Sequence, residues 1–330
     1  MNISKKIFFD SDITLDHILS KTVGIIGYGN QARAQANNLK DSGCRVVVGL
    51  KSKSPSREKV KKDGLEVLEI DEVFKQSDIL SILIPDNNIP QLISEFNRFM
   101  NDGQTLLFSH GYSIVYENLK IPENINVVMV APSGGGNIVR NEYKKGFGVP
   151  ALVAVEKDCS GKAMNIALSY AKAIGSSRAA VFLSTFKEET ETDLFGEQVI
   201  LTGSIPLIII ESYKVLLEEG YSPIVSWFVC FYELKTIVDL MFEKGLSSFY
   251  NMISNTARYG GVTRGSKLID GDFKDKIRSI LYDIKSGKFK DELDSSLSKG
   301  DDGKLFLREI FNSKDFDFVE NELLKKIKKN

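Results

Sequence analysis

A glycine turn between an apolar strand and a helix is the feature that most constrains the fold of this chain. The apolar run 23–26 ends at residues 27–32, which read Gly-Tyr-Gly-Asn-Gln-Ala, and apolar residues then recur at helical spacing. Gly27 permits a tight turn, Gly29 lets the backbone approach a pyrophosphate, and the small Ala32 allows close packing of the helix. The order strand, glycine turn, helix therefore predicts dinucleotide binding.

Further strand-like runs follow this turn at regular intervals. They lie at residues 45–50, 79–84, 105–108, 127–130 and 151–155, separated by helical or turn segments such as 90–100. This alternation predicts an α/β fold with a doubly wound, Rossmann-type parallel sheet. Ligands of such sheets lie beyond the carboxyl ends of the strands. The predicted cofactor-binding residues of the first turn are Gly27, Tyr28, Gly29, Asn30 and Gln31.

The residues after the second strand indicate which dinucleotide is bound. NAD-specific sites usually carry an acidic residue there, whereas residues 51–57 read Lys-Ser-Lys-Ser-Pro-Ser-Arg. Cations and hydroxyls suit the 2′-phosphate of NADPH. The predicted ligands of this phosphate are Lys51, Ser52, Ser54 and Ser56. A flexible surface loop without a ligand is the alternative interpretation.

Composition excludes several classes of partner. The formal net charge of −1 provides no field to attract nucleic acid or an anionic membrane, and no apolar run approaches the length of a membrane span. Three cysteines far apart, without Cys-x-x-Cys spacing, indicate a reducing cytoplasm. We therefore expect a cytoplasmic protein that acts on a small molecule.

The length and a change of pattern near residue 186 predict two domains. A chain of 330 residues can form two cores. Strand signals end before residue 187, and apolar helices follow at 205–220, 224–245 and 248–258. We expect an NADP-binding Rossmann-type domain over residues 1–185 and an all-helical domain over 186–330. These helices have more apolar surface than one small domain can easily bury, which favours a dimer. The alternative interpretation is that they form only the core of the domain.

The second half begins with a dense acidic run. Residues 187–198 read Lys-Glu-Glu-Thr-Glu-Thr-Asp-Leu-Phe-Gly-Glu-Gln. On a helix, Asp193 and Glu197 would share one face, with Glu189 one turn earlier, and such like charges repel unless a cation lies between them. A purely carboxylate set suits Mg²⁺. A solvated helix face is the alternative interpretation.

The same run, extended back to Thr185, resembles the metal-binding helix of ketol-acid reductoisomerases residue for residue. The resemblance covers nearly the whole chain, and the length is similar to that of the short, class I form. It implies two stages: a Mg²⁺-dependent alkyl migration in an acetohydroxy acid, then hydride transfer from NADPH to the resulting 2-keto group. The resemblance thus places the chain in branched-chain amino-acid biosynthesis.

The resemblance also implies roles for individual residues. Residues 108–112, Phe-Ser-His-Gly-Tyr, match the family's histidine loop and contain His110. Ser254 matches a serine that binds the substrate carboxylate. Glu233 matches a glutamate that the partner subunit gives to the metal site, which implies a homodimer or a higher oligomer of dimers. The implied catalytic residues are His110, Asp193, Glu197 and Glu233, of which the three carboxylates are also the implied Mg²⁺ ligands.

Four positions depart from the family's pattern. Ser133 stands in place of an active-site lysine, Gly135 in place of a proline, and Val229 in place of the first of two paired glutamates. Arg258 replaces a glutamate shortly after Ser254. The loss of a carboxylate ligand and a nearby cation affects the two-metal migration more than the hydride transfer.

These departures lead to three interpretations of the function. The first is an NADPH-dependent reductase of a small 2-keto acid or a related carbonyl or imine, with an impaired isomerase stage and one Mg²⁺ rather than two. The alternative is a complete Mg²⁺-dependent ketol-acid reductoisomerase. A non-catalytic dinucleotide-binding sensor is the third, and the retained carboxylates argue against it, since they would be costly to keep together without a cation.

Overall fold

The computed structural model describes residues 7–311 and 314–327. The chain divides into two compact units, Met1–Thr190 and Glu191–Asn330. We expected the boundary between residues 185 and 186, whereas the division falls five residues later, inside a continuous helix.

The first unit contains the strands and half of the helices. The strands are β1 (Ile7–Phe8), β2 (Thr22–Ile26), β3 (Arg45–Gly49), β4 (Glu66–Leu68), β5 (Ile79–Ile82), β6 (Thr105–Phe108), β7 (Asn126–Pro132), β8 (Ala151–Lys157) and β9 (Val181–Leu183). The helices are α1 (Asp16–Leu19), α2 (Asn30–Asp41), α3 (Arg57–Lys62), α4 (Ile70–Gln76), α5 (Ile89–Phe96), α6 (Tyr112–Tyr116), α7 (Gly136–Lys144), α8 (Ala163–Ala173) and the start of α9 (Phe186–Gly196).

The described strands form one sheet in the order β1-β9-β8-β7-β6-β5-β2-β3-β4. From β4 to β7 the neighbours are parallel, and this part has the doubly wound order with its switch point between β2 and β5. The predicted Rossmann-type fold is confirmed. Two pairs, β7 with β8 and β1 with β9, are antiparallel instead. The short strands β1, β4 and β9 were not predicted, because two or three residues show no periodicity.

The two faces of the sheet bury separate apolar clusters. Along β2, Ile25 belongs to one cluster and Ile26 to the other, as the period of two requires. All five residues of β2 are buried, because helices cover both faces. This packing fixes the carboxyl end of β2, where the glycine turn begins.

The second unit is helical throughout its described part. After the end of α9 its helices are α10 (Ser204–Glu218), α11 (Pro223–Trp227), α12 (Glu233–Lys244), α13 (Leu246–Phe249), α14 (Asn255–Leu268), α15 (Gly271–Ser286), α16 (Lys288–Ser298), α17 (Lys304–Ile310) and α18 (Lys314–Ile327). The helix predicted over 248–258 is wrong: the chain turns between Phe249 and Asn255, and Ser254 caps the next helix. An apolar core forms around Ile210, Tyr213 and Trp227.

Two π-helical turns interrupt the helices of this unit. One covers Glu197–Leu201, between α9 and α10, and the other covers Phe228–Tyr232, between α11 and α12. In the first, the N–H groups of Thr202 and Gly203 both donate to the Glu197 carbonyl, at 2.9 and 3.0 Å. A Cβ on Gly203 would lie 1.8 Å from the Gln198 carbonyl oxygen, so this turn requires glycine. Such turns occur frequently at functional sites.

The helix Phe186–Glu218 is long and apolar enough, by length and composition alone, to cross a membrane. The sequence expectation that no run approaches this length was therefore wrong. This segment joins α9 to α10 through the π turn Glu197–Leu201 and the turn at Thr202 and Gly203. One such helix is weak evidence for a membrane span, since apolar helices of soluble proteins pass the same test.

A hydrogen-bonded carboxylate joins α2 to the loop after α3. Both oxygens of Asp63 accept from Arg33, at 2.7 and 2.8 Å, and the Tyr28 hydroxyl donates to Oδ2 at 2.8 Å. The Arg33 guanidinium, with help from Tyr28, holds the pKa of Asp63 at about 2, against an ordinary value of 3.8. The folded state thus favours the ionised carboxylate.

The lowered pKa of Asp63 predicts a pH dependence of stability. The stabilisation is present above pH 4 and is lost as the pH falls from about 4 through about 2. Asp63→Asn should lower the free energy of unfolding at pH 7 by roughly 2 kcal/mol and remove part of the acid dependence. Urea unfolding at pH 7 and pH 3 checks this, with the exposed Asp16→Asn as control; equal losses for both variants at pH 7 would contradict it.

Candidate functional site

The glycine turn lies at the switch point of the sheet. Gly27 has φ +99°, and a Cβ there would lie 2.6 Å from the Leu83 carbonyl oxygen, so only glycine fits. Gly29 has open space before it, with no atom within 4 Å of an added Cβ. The space at Gly29 would allow the main chain to approach a phosphate, and α2 starts at Asn30.

Two cavities flank this turn. The first has a volume of about 470 Å³, and its lining includes Gly27, Leu50, Lys51, Lys53 and Ser54. Ile84 and Pro85 line both cavities. The second, of about 360 Å³, is lined by Gly29, Asn30, Gln31, Asp86, Ser109 and His110. Both cavities border the glycine turn at the carboxyl end of β2, the region where ligands of doubly wound sheets bind.

Three of the predicted cofactor residues, Tyr28, Ser52 and Ser56, do not line these two cavities. The Tyr28 ring is buried in the core and its hydroxyl donates to Asp63, so only the Tyr28 main chain can contact a cofactor. Ser56 lies at the start of α3, where its N–H donates to Ser54 Oγ at 3.4 Å. Ser52 lines a neighbouring cavity of about 430 Å³ together with Lys51 and Lys53.

Glu189 fixes the histidine loop. One carboxylate oxygen lies 2.9 Å from His110 Nδ1, and the other accepts the Gly111 N–H at 2.8 Å. Glu189 is only 2% exposed. A Cβ on Gly111 would lie 2.4 Å from Thr190 Oγ1 and 2.7 Å from the Phe186 carbonyl oxygen, so the loop requires glycine to pack against α9. This arrangement makes Nε2 the His110 nitrogen that can exchange a proton with a ligand.

Asp86 is a second carboxyl group beside His110. It follows β5 and lines the same cavity as His110. Burial raises the pKa of the Asp86 carboxyl; the charge of His110 opposes this rise, and that of Glu189 adds to it. The sequence analysis did not select Asp86, although its position just after a strand of the sheet was a usable signal.

The loop that carries Ser133 is tied to the glycine turn. Gln31 Nε2 donates to the Gly134 carbonyl at 2.6 Å, and the Ser133 N–H donates to the Pro150 carbonyl at 2.8 Å. A Cβ on Gly136 would lie 2.1 Å from the Asn30 carbonyl oxygen, so α7 packs directly on the start of α2. Gln31 thus contacts this loop through its side chain as well as lining a cavity.

The acidic run forms helix α9 as predicted, with one difference at its end. Asp193 follows Glu189 by one turn, and their carboxylate oxygens lie within 4.8 Å of each other. Asp193 and Glu197 are exposed, whereas Glu189 is buried against the histidine loop. Glu197 opens the π turn instead of continuing the α-helix. The carboxylate donors of α9 fit a hard divalent cation such as Mg²⁺.

The remaining predicted residues lie further along the second unit. Glu233 is exposed at the start of α12, and within the described ranges it belongs to no group of three potential metal ligands. Val229 lies in the second π turn. Ser254 Oγ accepts the Ala257 N–H at 3.1 Å as a helix cap, which leaves its O–H able to donate to a ligand. Arg258 Nη2 donates to Asn255 Oδ1 at 2.5 Å.

Comparison with known proteins gives a family for both units. Residues 17–180 match the model of the acetohydroxy acid isomeroreductase NADPH-binding domain, and residues 186–327 match that of the ketol-acid reductoisomerase C-terminal domain. The ketol-acid reductoisomerase (NADP(+)) of Methanocaldococcus jannaschii is 46% identical over 87% of both chains. The protein of the same name from Methanopyrus kandleri is 48% identical over 87% of both chains.

A solved structure is similar over nearly the full length. It is that of an NADH-preferring ketol-acid reductoisomerase from an uncultured archean, with a TM-score of 0.91 and 37% identity. The match covers 97% of this chain and 98% of the other. The chain therefore is an enzyme of the ketol-acid reductoisomerase family of NADP-dependent oxidoreductases, and it carries both domains of that family in order.

Proposed function

We propose that the chain is a complete Mg²⁺- and NADPH-dependent ketol-acid reductoisomerase of branched-chain amino-acid biosynthesis, acting in the cytoplasm. The first unit would bind the dinucleotide, and the second would supply metal ligands, substrate contacts and the dimer interface. The observation that carries the proposal is the arrangement of α9. Its first turns fix His110 through Glu189, and its next turn presents Asp193 beside Glu189.

The side chains have distinct roles in this proposal. The dinucleotide would supply the hydride, and Mg²⁺ would polarise the substrate carbonyl and stabilise developing alkoxide charge. Asp193 and Glu197, with Glu233 from a partner subunit, would hold the metal. Glu189 accepts a hydrogen bond from the Nδ1–H group of His110 and so orients the ring. The Nε2 atom of His110 would then give a proton to a reacting oxygen or take one from it. Ser254 would donate its hydroxyl proton to the substrate carboxylate.

The curated relatives support this complete reaction better than the reductase-only interpretation that we drew from the sequence. Both relatives named above are ketol-acid reductoisomerases by name and align over 87% of this chain. The reductase-only enzyme remains the second candidate because of two specific residues, Val229 and Ser133. Neither side chain can replace the carboxylate and the cation that the family's pattern has at these positions.

Turnover with two substrates tests the proposal. The first is acetolactate, which needs both stages. The second is 3-hydroxy-3-methyl-2-oxobutanoate, the rearranged keto acid, which needs only the reduction. Mg²⁺-dependent oxidation of NADPH with both compounds is the expected result. Oxidation with the keto acid alone would instead support the reductase-only candidate.

We also propose a homodimer or a higher oligomer of dimers. Large apolar side chains are exposed along the helices of the second unit; they include Leu201, Ile208, Val225, Val238 and Phe242. An exposed apolar surface of this kind is typical of an interface. Sedimentation velocity at micromolar concentration should give at least twice the chain mass of 36.8 kDa. A stable and active monomer would contradict the proposal.

A further inference from the structure

A carboxylate lies among the residues predicted to bind the 2′-phosphate. Glu69 lines the cavity of about 430 Å³ that Lys51, Ser52 and Lys53 also line. Ser52 Oγ donates to one Glu69 oxygen at 3.3 Å, and Arg57 Nη1 donates to the other at 3.0 Å. The sequence analysis found no acidic residue at this place, because Glu69 follows β4 and not β3.

Arg57 is committed to the main chain and is poorly placed to serve a ligand. Its Nη1 donates to the Leu50 carbonyl at 2.9 Å and, at 3.4 Å, to that of Leu68. Its Nη2 donates to the Val67 carbonyl at 3.4 Å. The guanidinium therefore joins the ends of β3 and β4. The cations left for a phosphate in this cavity are the two lysines.

The charges in the cavity are nearly balanced. Neither Lys51 nor Lys53 takes part in an ion pair with any residue of the part that the structure describes. Against them stand Glu69, Asp71 and Glu95; Glu69 pairs with Arg57 at 3.0 Å and Asp71 pairs with Lys75 at 2.7 Å. A phosphate in this cavity would therefore meet the ammonium groups of Lys51 and Lys53, and also the Glu69 carboxylate, which accepts a hydrogen bond from Ser52.

This arrangement affects the two dinucleotides differently. A 2′-phosphate carries a charge of about −1.5 to −2 at neutral pH, so Glu69 repels it and competes with it for the Ser52 hydroxyl. The ribose of NADH has a 2′-hydroxyl instead, which can donate a hydrogen bond to the Glu69 carboxylate. The same side chain therefore disfavours one cofactor and can favour the other.

We propose that Glu69 is a specificity-determining residue that lowers the preference of this enzyme for NADPH over NADH. The inference rests on the proposed function in that it assumes binding of a nicotinamide dinucleotide at the glycine turn. The lysines set a preference for NADPH, and Glu69 reduces it. The main chain at Glu69 is held by Glu72, whose carboxylate accepts a hydrogen bond from the Glu69 N–H at 3.1 Å.

Glu69→Gln tests the inference with little change of shape, because the amide oxygen can still accept from Ser52 or Arg57. We expect the ratio of the NADH and NADPH dissociation constants to rise roughly fivefold to tenfold, mainly through tighter NADPH binding. Titration calorimetry with each dinucleotide at low salt measures the ratio. The control is Glu58→Gln, which removes an exposed charge on α3 outside the cavity.

The salt dependence separates charge repulsion from a change of loop structure. Salt screens the repulsion between Glu69 and the 2′-phosphate in the wild-type enzyme. The ratio of the NADH and NADPH dissociation constants should therefore differ less between wild type and Glu69→Gln as the salt concentration rises. Glu69→Ala should shift the ratio in the same direction. An unchanged ratio in both variants would overturn the inference while leaving the proposed reaction intact. A shifted ratio in an enzyme that turns over neither test substrate would support the inference and contradict the proposed reaction.

Discussion

Glu189→Gln should lower kcat by about 10²- to 10³-fold and leave the dissociation constant of NADPH within about threefold of wild type. Glu189 is buried and its two oxygens hold His110 Nδ1 and the Gly111 N–H. An amide offers one acceptor oxygen, so one of these two bonds is lost or replaced by a contact between two donors. The imidazole then loses the anion that favours its charged form.

The matched control for this variant is Glu188→Gln, on the same helix. Glu188 is exposed and accepts from Ser184 Oγ at 2.9 Å. We expect it to keep wild-type activity. The pH profile of kcat distinguishes positioning of His110 from general damage, since only Glu189→Gln should move the profile. A Glu189→Gln enzyme with normal kcat and an unshifted profile would contradict the role of this carboxylate.

Asp193→Asn should abolish detectable Mg²⁺ binding at millimolar concentration and lower kcat by roughly 10³-fold or more. Asp193 is the exposed carboxylate one turn beyond Glu189, and an amide is a much weaker ligand for a hard dication. Calorimetric titration with Mg²⁺, in the presence of NADPH, measures the first effect. The control Glu191→Gln removes one charge from the same helix but not from this face; equal Mg²⁺ affinity in both variants would contradict the assignment.

Much of the cofactor half of the fold could be predicted from local pattern. The run before Gly27 and the small residues after it specify strand, turn and helix in a fixed order, and the structure confirms each of them. The antiparallel direction of β8 could not be predicted, because strand periodicity carries no information about direction. The side-chain position of Tyr28 depends on Asp63, which lies 35 residues away in sequence.

The candidate site was only partly predictable, because some of its contacts join residues that are far apart in the sequence. Helical spacing placed Glu189 one turn before Asp193 and suggested it as a further carboxylate of the metal site. In the structure the Glu189 carboxylate instead contacts His110 and the Gly111 N–H. The contact of Glu189 with His110 joins residues 79 apart, and no local pattern shows it. Glu69 was missed because parallel strands bring the end of β4 beside the end of β3 only in the folded sheet. The π turn at Glu197 depends on the fit of Gly203 against Gln198.

The most direct test of the central claim is to identify the product formed from acetolactate, NADPH and Mg²⁺ by NMR. Migration before reduction gives 2,3-dihydroxy-3-methylbutanoate, whereas reduction without migration gives the isomer 2,3-dihydroxy-2-methylbutanoate. The complete reaction predicts the rearranged isomer as the main product of the wild-type enzyme. Formation of the unrearranged isomer alone, or no product while 3-hydroxy-3-methyl-2-oxobutanoate is still reduced, would contradict it.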